Sequence, residues 1–367
     1  MLSFDFSPLI DHNRAVMNRS EKESILWEIL KQVSRSFYLT LWVVPGKLRD
    51  QLGIAYLFCR AADTIADTDL IPSTERLKYL CLFREQFESG VISRQTITEI
   101  QSSLVEHQGD FAERMLLEHL GECFEIFEGF SREDQDRIRH LVVTLTKGME
   151  MDLTYFPTEA CGMLRALPSG HELDQYCYYV AGVVGEFWTQ MLIGHFPSLK
   201  AWDEARMQKL GVHFGKGLQM TNVLKDIGKD LARGRCYLPQ SMLNEFGLNP
   251  EGLRGSVSSK PLRPPLAYLI RLTLYHLEGG WQYILAIPRR EVRLRLACLW
   301  PHLFAVRTLQ RIYHSDDLLN PRAVVKISHR QVYSTMALAT LLVFSNRMLS
   351  RYYGYLRGEL MARIVGE

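Results

Sequence analysis

Paired cysteines are missing from this sequence. Its seven cysteines, Cys59, Cys81, Cys123, Cys161, Cys177, Cys236 and Cys298, are odd in number and none forms a C-x-x-C spacing. That pattern argues against a disulfide scaffold or zinc ribbon, and a reducing, cytoplasmic setting is expected. Charge of one sign is missing as well. The 43 Lys and Arg against 41 Asp and Glu leave a formal charge of +2, so there is no electrostatic case for nucleic acid. The first residues, MLSFDFSPLIDHNR, lack a basic stretch followed by an apolar one, which argues against a secretory leader. The longest apolar run near the C-terminus is Met336–Phe344. It is roughly half of the ~20 residues a membrane-spanning helix needs. A buried core helix is expected there, with an interfacial membrane contact as the alternative.

Several catalytic signatures are missing too. No histidine has a Glu three residues before it, so the Glu-x-x-His pairs of a di-iron bundle are excluded. No His-Glu-x-x-His occurs. Gly211–Gly217, GVHFGKG, lacks phosphate-loop spacing and follows no strand. No G-x-G-x-x-G follows a strand either, so a nicotinamide cofactor would need a site of another kind. With 47% hydrophobic residues, the chain is neither disordered nor fibrous.

Long stretches lack proline: Pro72 to Pro157, Pro197 to Pro239, and all that follows Pro321. Rich in Leu, Glu, Arg and Gln, they predict helices. Phe111–Phe130 places Met115, Leu116, Leu120, Cys123, Phe124 and Phe127 at a helical period. Asx-Gly hairpin turns are absent, and Phe37–Val44 is the one tempting strand. The expectation is an all-α protein of about a dozen or more helices. Breaks are expected at Pro45-Gly46, Asp69–Ser73, Pro157–Gly170, Pro197-Ser198 and Leu248–Pro265, the last as a surface loop.

Two helices share an unusual pattern. At about 100° per residue, Tyr56, Arg60, Asp63 and Asp67 of YLFCRAADTIAD fall within about 60° of arc. Gln219, Asn222, Asp226 and Asp230 of QMTNVLKDIGKD fall within about 80°. Leu57, Phe58, Ala61, Ala62 and Ile65 flank the first stripe, and Met220, Val223, Leu224 and Ile227 the second. Carboxylates at i and i+4 repel each other, and burial makes each costly unless it is neutralised. A divalent cation resolves this. Mg²⁺ takes hard oxygen ligands, one or two from protein carboxylates and the rest from water and phosphate. Two facing stripes would hold a small metal cluster with a diphosphate between them; a pair of solvated, salt-bridged surface faces is the alternative.

With these residues in place, the chain resembles the squalene/phytoene synthase family of head-to-head trans-prenyltransferases. SRSF, Ser34–Phe37, resembles the family's N-terminal substrate motif. YLFCRAADTIAD and QMTNVLKDIGKDLARGRCYLP resemble its two aspartate-rich motifs, and YCYYVAGVVGEF, Tyr176–Phe187, the segment between them. The resemblance runs from Ile29 to Val332. It implies a single isoprenoid-synthase domain, an all-α bundle around a central cavity, with residues 1–24 as an N-terminal extension and 320–367 as a C-terminal helical segment. It implies farnesyl diphosphate as substrate and Mg²⁺ as cofactor. Asp63, Asp67, Asp226 and Asp230 would bind metal, with Asn222 a further ligand and Gln219 beside it. Ser34, Ser36 and Tyr56 would lie at the substrate, and Arg35, Arg60, Lys225 and Arg235 at its diphosphate. Phe37, Val180, Ala181 and Gly185 would line an apolar tunnel for the prenyl chains, with close helix packing as the alternative use of the small residues in VAGVVG. Tyr176 would handle a proton or steer the cation.

The C-terminal NPRAVVKISHRQVYSTM, Asn320–Met336, resembles a segment of the squalene-forming branch whose basic residues bind the phosphate of NADPH. Lys326 matches. Ser328 stands where eukaryotic members carry a second basic residue, with Arg322 or Arg330 as substitutes. Ala66 stands in place of an extra acid, and Lys225 replaces the commoner Arg, losing its bidentate fork. The resemblance thus implies condensation of two farnesyl diphosphates to presqualene diphosphate and its reduction to squalene. A synthase that stops at presqualene diphosphate, dehydrosqualene or phytoene is the alternative. The C-terminal anchor of eukaryotic members is not seen. A soluble or peripheral enzyme of bacterial type is expected, monomeric, with any membrane contact at the inner face for product release.

Overall fold

The computed structural model describes residues 19–34, 41, 43–68, 70–156, 163–254, 256 and 258–366. Helices α1 (Arg19–Val33), α2 (Gly46–Asp67), α3 (Ser73–Glu88), α4 (Arg94–Leu104), α5 (Phe111–Glu118), α6 (Leu120–Glu128) and α7 (Arg132–Tyr155) form the first half. The second half holds α8 (Gly170–Cys177), α9 (Val183–His195), α10 (Glu204–Ala232), α11 (Gln240–Glu245), α12 (Pro250–Arg254), α13 (Arg263–Ala286), α14 (Val292–His314), α15 (His329–Leu342) and α16 (Asn346–Gly366). The all-α expectation holds. Among the described residues the only sheet is a two-residue parallel bridge, β1 (Arg165–Ala166) with β2 (Arg235–Cys236). No described helix is long and apolar enough to cross a membrane.

Short polar side chains start several helices. The Ser131 hydroxyl accepts from the Asp134 amide at α7, and Asp203 accepts from Arg206 at α10. Ser169 and Glu172 form a capping box at α8. Each satisfies an amide that the helix leaves without a partner.

The centre of the molecule is α10, which packs on α13, α9 and α14. GVHFGKG belongs to this helix and is its crossing surface. A Cβ on Gly185 of α9 would stand 1.9 Å from the Gly211 carbonyl oxygen, and one on Gly215 would stand 2.0 Å from that of Ala181. Backbone lies directly on backbone here. Between α8 and α9 runs a π-turn, Tyr178–Gly182, in which the Val183 amide donates to the Tyr178 carbonyl. On the other side, Phe58 of α2 anchors an aromatic cluster. Its ring centroid lies 4.7 Å from Phe124, 4.9 Å from Phe87 and 5.6 Å from Phe127.

Several expectations are corrected. Phe111–Phe130 divides at His119, whose φ of −102° and ψ of 17° leave the helical region. Its amide still bonds Met115 and its carbonyl still accepts from Cys123, so the apolar period survives the kink. The supposed loop Leu248–Pro265 contains α12 and a short turn, and Pro264 and Pro265 open α13. Proline is well placed there because the first-turn amides have no partner. Residues 19–24, expected in an extension, begin α1. Of Phe37–Val44, Leu41, Val43 and Val44 are described; the first two are helical and Val44 lies in a bend. The run Met336–Phe344 is not a core helix. Only Ala339 and Val343 of it are buried, while Leu341 is 76% and Phe344 61% exposed.

The glycine crossing gives the first prediction. Gly185→Ala should cost about 1–3 kcal/mol, because a methyl group has to displace backbone rather than a side chain. Denaturant unfolding would read this as a lower midpoint. Gly170→Ala, where nothing lies within 4 Å, serves as the control and should change little.

Candidate active site

A cavity of about 580 Å³ opens between α2, α7, α8 and α10. Asp63, Ala66 and Asp67 face it from α2, and Gln219, Asn222, Asp226 and Asp230 from α10. The aspartates of the two polar stripes read from helical period therefore meet across one space, whereas Tyr56 and Arg60 do not line it. Met149, Asp152 and Leu153 of α7, Tyr176 of α8, Tyr237 and Pro321 complete the wall. The β bridge positions a cation between the stripes. Arg165 donates its amide to Gly234, and Leu167 to Cys236. Gly234 has φ +85° and lies against the Met163 carbonyl, a conformation side chains rarely adopt. From the strand so held, Arg235 reaches Asp67 at 3.4 Å and Asp152 at 3.5 Å.

The carboxylates are uneasy in this setting. Burial, then the charge of Asp67, pushes Asp63 up to about 6, against the pull of Arg60. Burial raises Asp152 to about 7, although Arg235 and a 2.7 Å hydrogen bond from the Tyr237 hydroxyl oppose it. Asp230 rises to about 7 through burial and the neighbouring Asp226. Tyr176 is buried and its ring stacks on Tyr237 at 4.8 Å. Burial, followed by the Asp152 charge, holds its phenol well above the ordinary range, so it stays a neutral hydroxyl.

The other expected site residues have varied places. Arg35, Ser36 and Phe37 lie outside the described residues. Ser34 is buried, with no hydrogen-bond partner for its hydroxyl among the described residues. Tyr56 turns to the Val33 carbonyl at 3.2 Å. Arg60 is shared between Asp63 and Glu113. Lys225 does not line the cavity. It lies along its own helix, 3.1 Å from Asn222 and 3.2 Å from Asp226, and Lys229 and Arg233 take the cavity wall instead. Val180, Ala181 and Gly185 also do not line it. They sit at the crossing with Gly148, Gly215 and Gly211, where small size serves close packing. Arg322, Lys326 and Arg330 are exposed on the segment that leaves the cavity rim at Pro321. Ser328 has a different task. It caps α15 in a reciprocal pair with Gln331.

Asp152 and Tyr237 were missed. A signal for Asp152 exists, since it stands seven residues after Leu145 and fourteen after Ile138, on the stripe that α7 buries. An acid on a buried stripe needs a reason. Tyr237 lies inside RCYLP and gave no separate signal.

The donors present fit a hard cation. Among the described residues no three His, Cys, Asp or Glu side chains converge as a closed metal site. The carboxylates are instead paired on two helices, which suits Mg²⁺ taking one or two carboxylates and completing its shell with water and phosphate.

Comparison with known proteins gives the family and the fold. The squalene/phytoene synthase family model matches residues 30–331. Squalene synthase BSS of Botryococcus braunii is 25% identical over 92% of this chain and 68% of its own length. Presqualene diphosphate synthase of Rhodopseudomonas palustris is 29% identical over 80% of this chain and 88% of its own. A bifunctional lycopene cyclase/phytoene synthase of Blakeslea trispora is 30% identical, and the match spans only 33% of that protein. Among solved structures, a ligand complex of TcSQS has a TM-score of 0.74 at 22% identity, covering 94% of this chain and 92% of that one. A dehydrosqualene synthase has a TM-score of 0.60 at 19% identity, covering 89% and 99%.

The raised acids predict a pH-dependent stability. The fold disfavours ionised Asp230, so its cost is present above about 7 and disappears toward the ordinary 3.8. Asp230→Asn should raise the Tm of chelator-treated protein at about pH 8. The gain should shrink as pH falls through 7. A gain that ignores pH would refute the electrostatic account.

Proposed function

The chain belongs to the squalene/phytoene synthase family, and from that premise we propose that it couples two farnesyl diphosphates into presqualene diphosphate and reduces this to squalene with NADPH. The observation that carries the proposal is the meeting of two aspartate pairs, Asp63 with Asp67 and Asp226 with Asp230, across one cavity that also holds Tyr176 and Arg235.

The chemistry starts with departure of an allylic diphosphate. Mg²⁺ held by the two aspartate pairs would neutralise the leaving charge. Arg235, Lys229 and Arg233 add fixed cations on the same wall. Met149, Leu153 and Val223 supply the apolar part of the wall, which keeps water from the allylic cation. The neutral Tyr176 presents a ring and an oxygen lone pair to that cation without itself becoming charged. Arg322, Lys326 and Arg330 are the cations offered to the phosphate of NADPH, on a segment that begins at the cavity rim.

One observation favours a second reading. Ser328 stands where eukaryotic members carry a second basic residue and caps α15 instead, so this position offers no cation to the phosphate of NADPH. A synthase that stops at presqualene diphosphate, dehydrosqualene or phytoene needs no such contact.

Purified protein incubated with farnesyl diphosphate and Mg²⁺, with and without NADPH, separates these readings by product. Asp63→Asn or Asp226→Asn should lower kcat by about a hundredfold or more, because a metal ligand loses its charge. Either variant should also lose the Mg²⁺-dependent rise in Tm with a non-reacting diphosphate. Wild-type turnover in either would refute the metal assignment.

Lys326→Ala isolates the reductive half. Loss of a charge-assisted hydrogen bond costs about 1.5–3 kcal/mol, roughly a ten- to hundredfold rise in KM for NADPH. Farnesyl diphosphate consumption should persist while presqualene diphosphate accumulates. If both halves fall together, Lys326 serves the diphosphate or the fold. If neither changes, the reductive assignment loses its support.

A further inference from the structure

The C-terminal helices carry more positive charge than the proposed NADPH contact would use, since Arg347, Arg351 and Arg357 lie beyond it. Between Asp317 and Glu359 there is no acidic residue, yet Arg322, Lys326, Arg330, Arg347, Arg351 and Arg357 all fall there. The whole chain carries only +2, so its positive excess is concentrated in this stretch. None of the six has an ion pair among the described residues, and all six are exposed.

Between the basic groups lies an uncharged helix. Gln331 to Asn346 holds no charged residue at all. Of α15, only Thr335 and Ala339 are buried, a narrow seam of small residues one turn apart. Met336 and Leu342 pack partly against the core beside this seam, and the opposite side of the helix faces outward. Tyr333, Ala337 and Leu341 follow one another at i+4, and the exposed Phe344 lies in the turn just beyond the helix. Tyr333 is 68% exposed, and Leu338 and Met348 extend the apolar surface. Arg330 stands at one end of this face, with Arg347 and Arg351 at the other.

We propose that α15 and the start of α16 form a docking surface for an anionic lipid bilayer. The apolar face would enter the headgroup boundary while the arginines at its ends meet the lipid phosphates. An uncharged helical face with basic residues around it is the pattern of interfacial helices, and clustered basic residues are drawn to anionic leaflets. A second copy of the chain fits less well. A two-fold contact through this face would set one basic cluster against another. The proposal does not depend on which reaction the cavity carries out.

The test is co-sedimentation of the full chain with vesicles of phosphatidylcholine alone or mixed with phosphatidylglycerol. Binding is expected to the mixed vesicles, weakening as salt rises. Leu341→Glu/Phe344→Glu and Arg347→Glu/Arg351→Glu should each lower the partition coefficient about tenfold or more. All four residues are exposed, so Tm should stay at the wild-type value. Equal binding to neutral vesicles, no binding, or variants that bind like wild type would each overturn the proposal. So would a lipid-free dimer that Leu341→Glu dissolves, since that would assign the face to a second copy.

Discussion

Carboxylates of like charge face one another here, and the fold has to hold them together against their repulsion. Asp63 and Asp67 belong to one helix, Asp226 and Asp230 to another, and Asp152 to a third. An isolated helix pair with such faces would separate. What prevents this is on the opposite side of each helix. Phe58 fixes α2 in an aromatic cluster, and α10 is packed on three neighbours. Burial of these back faces supplies the free energy against which the strained front faces are maintained. Arg235 relieves part of the repulsion by contacting Asp67 and Asp152 together.

The arginine is itself held by chain distant in sequence. Its strand pairs with Arg165–Ala166, so the segment after α7 and the segment after α10 are fastened at the cavity floor. This arrangement explains why a two-residue bridge is present in an otherwise helical molecule. A loose loop could carry the same guanidinium, but not keep it between two acids.

The helices and both polar stripes were legible because each is a local signal. A period of 3.6 residues reveals a helix face, and carboxylates beside Phe58, Ile65, Leu224 and Ile227 mark a face that is not plain solvent surface. Tertiary contacts were less visible. Gly185 and Ala181 carry no side chain that tells a tunnel wall from a helix crossing; only the backbone of α10 beside them decides it. The direction of Lys225 was equally hidden, because a lysine one residue before Asp226 can reach either the cavity or its own helix. Met336–Phe344 misled for a related reason. An apolar run reports a low affinity for water, not which surface covers it.

The π-turn at Tyr178–Gly182 has a consequence for how this region can vary. A π-turn holds one residue more than the regular helix around it, and one residue is about 100° of rotation. Upstream, that phase presents Tyr176 to the cavity; downstream, it presents Gly185 to Gly211. Deleting a single residue between them would rotate one set relative to the other, and no side-chain change could restore both. The length of the segment is therefore as strict a specification as the small residues at its crossing.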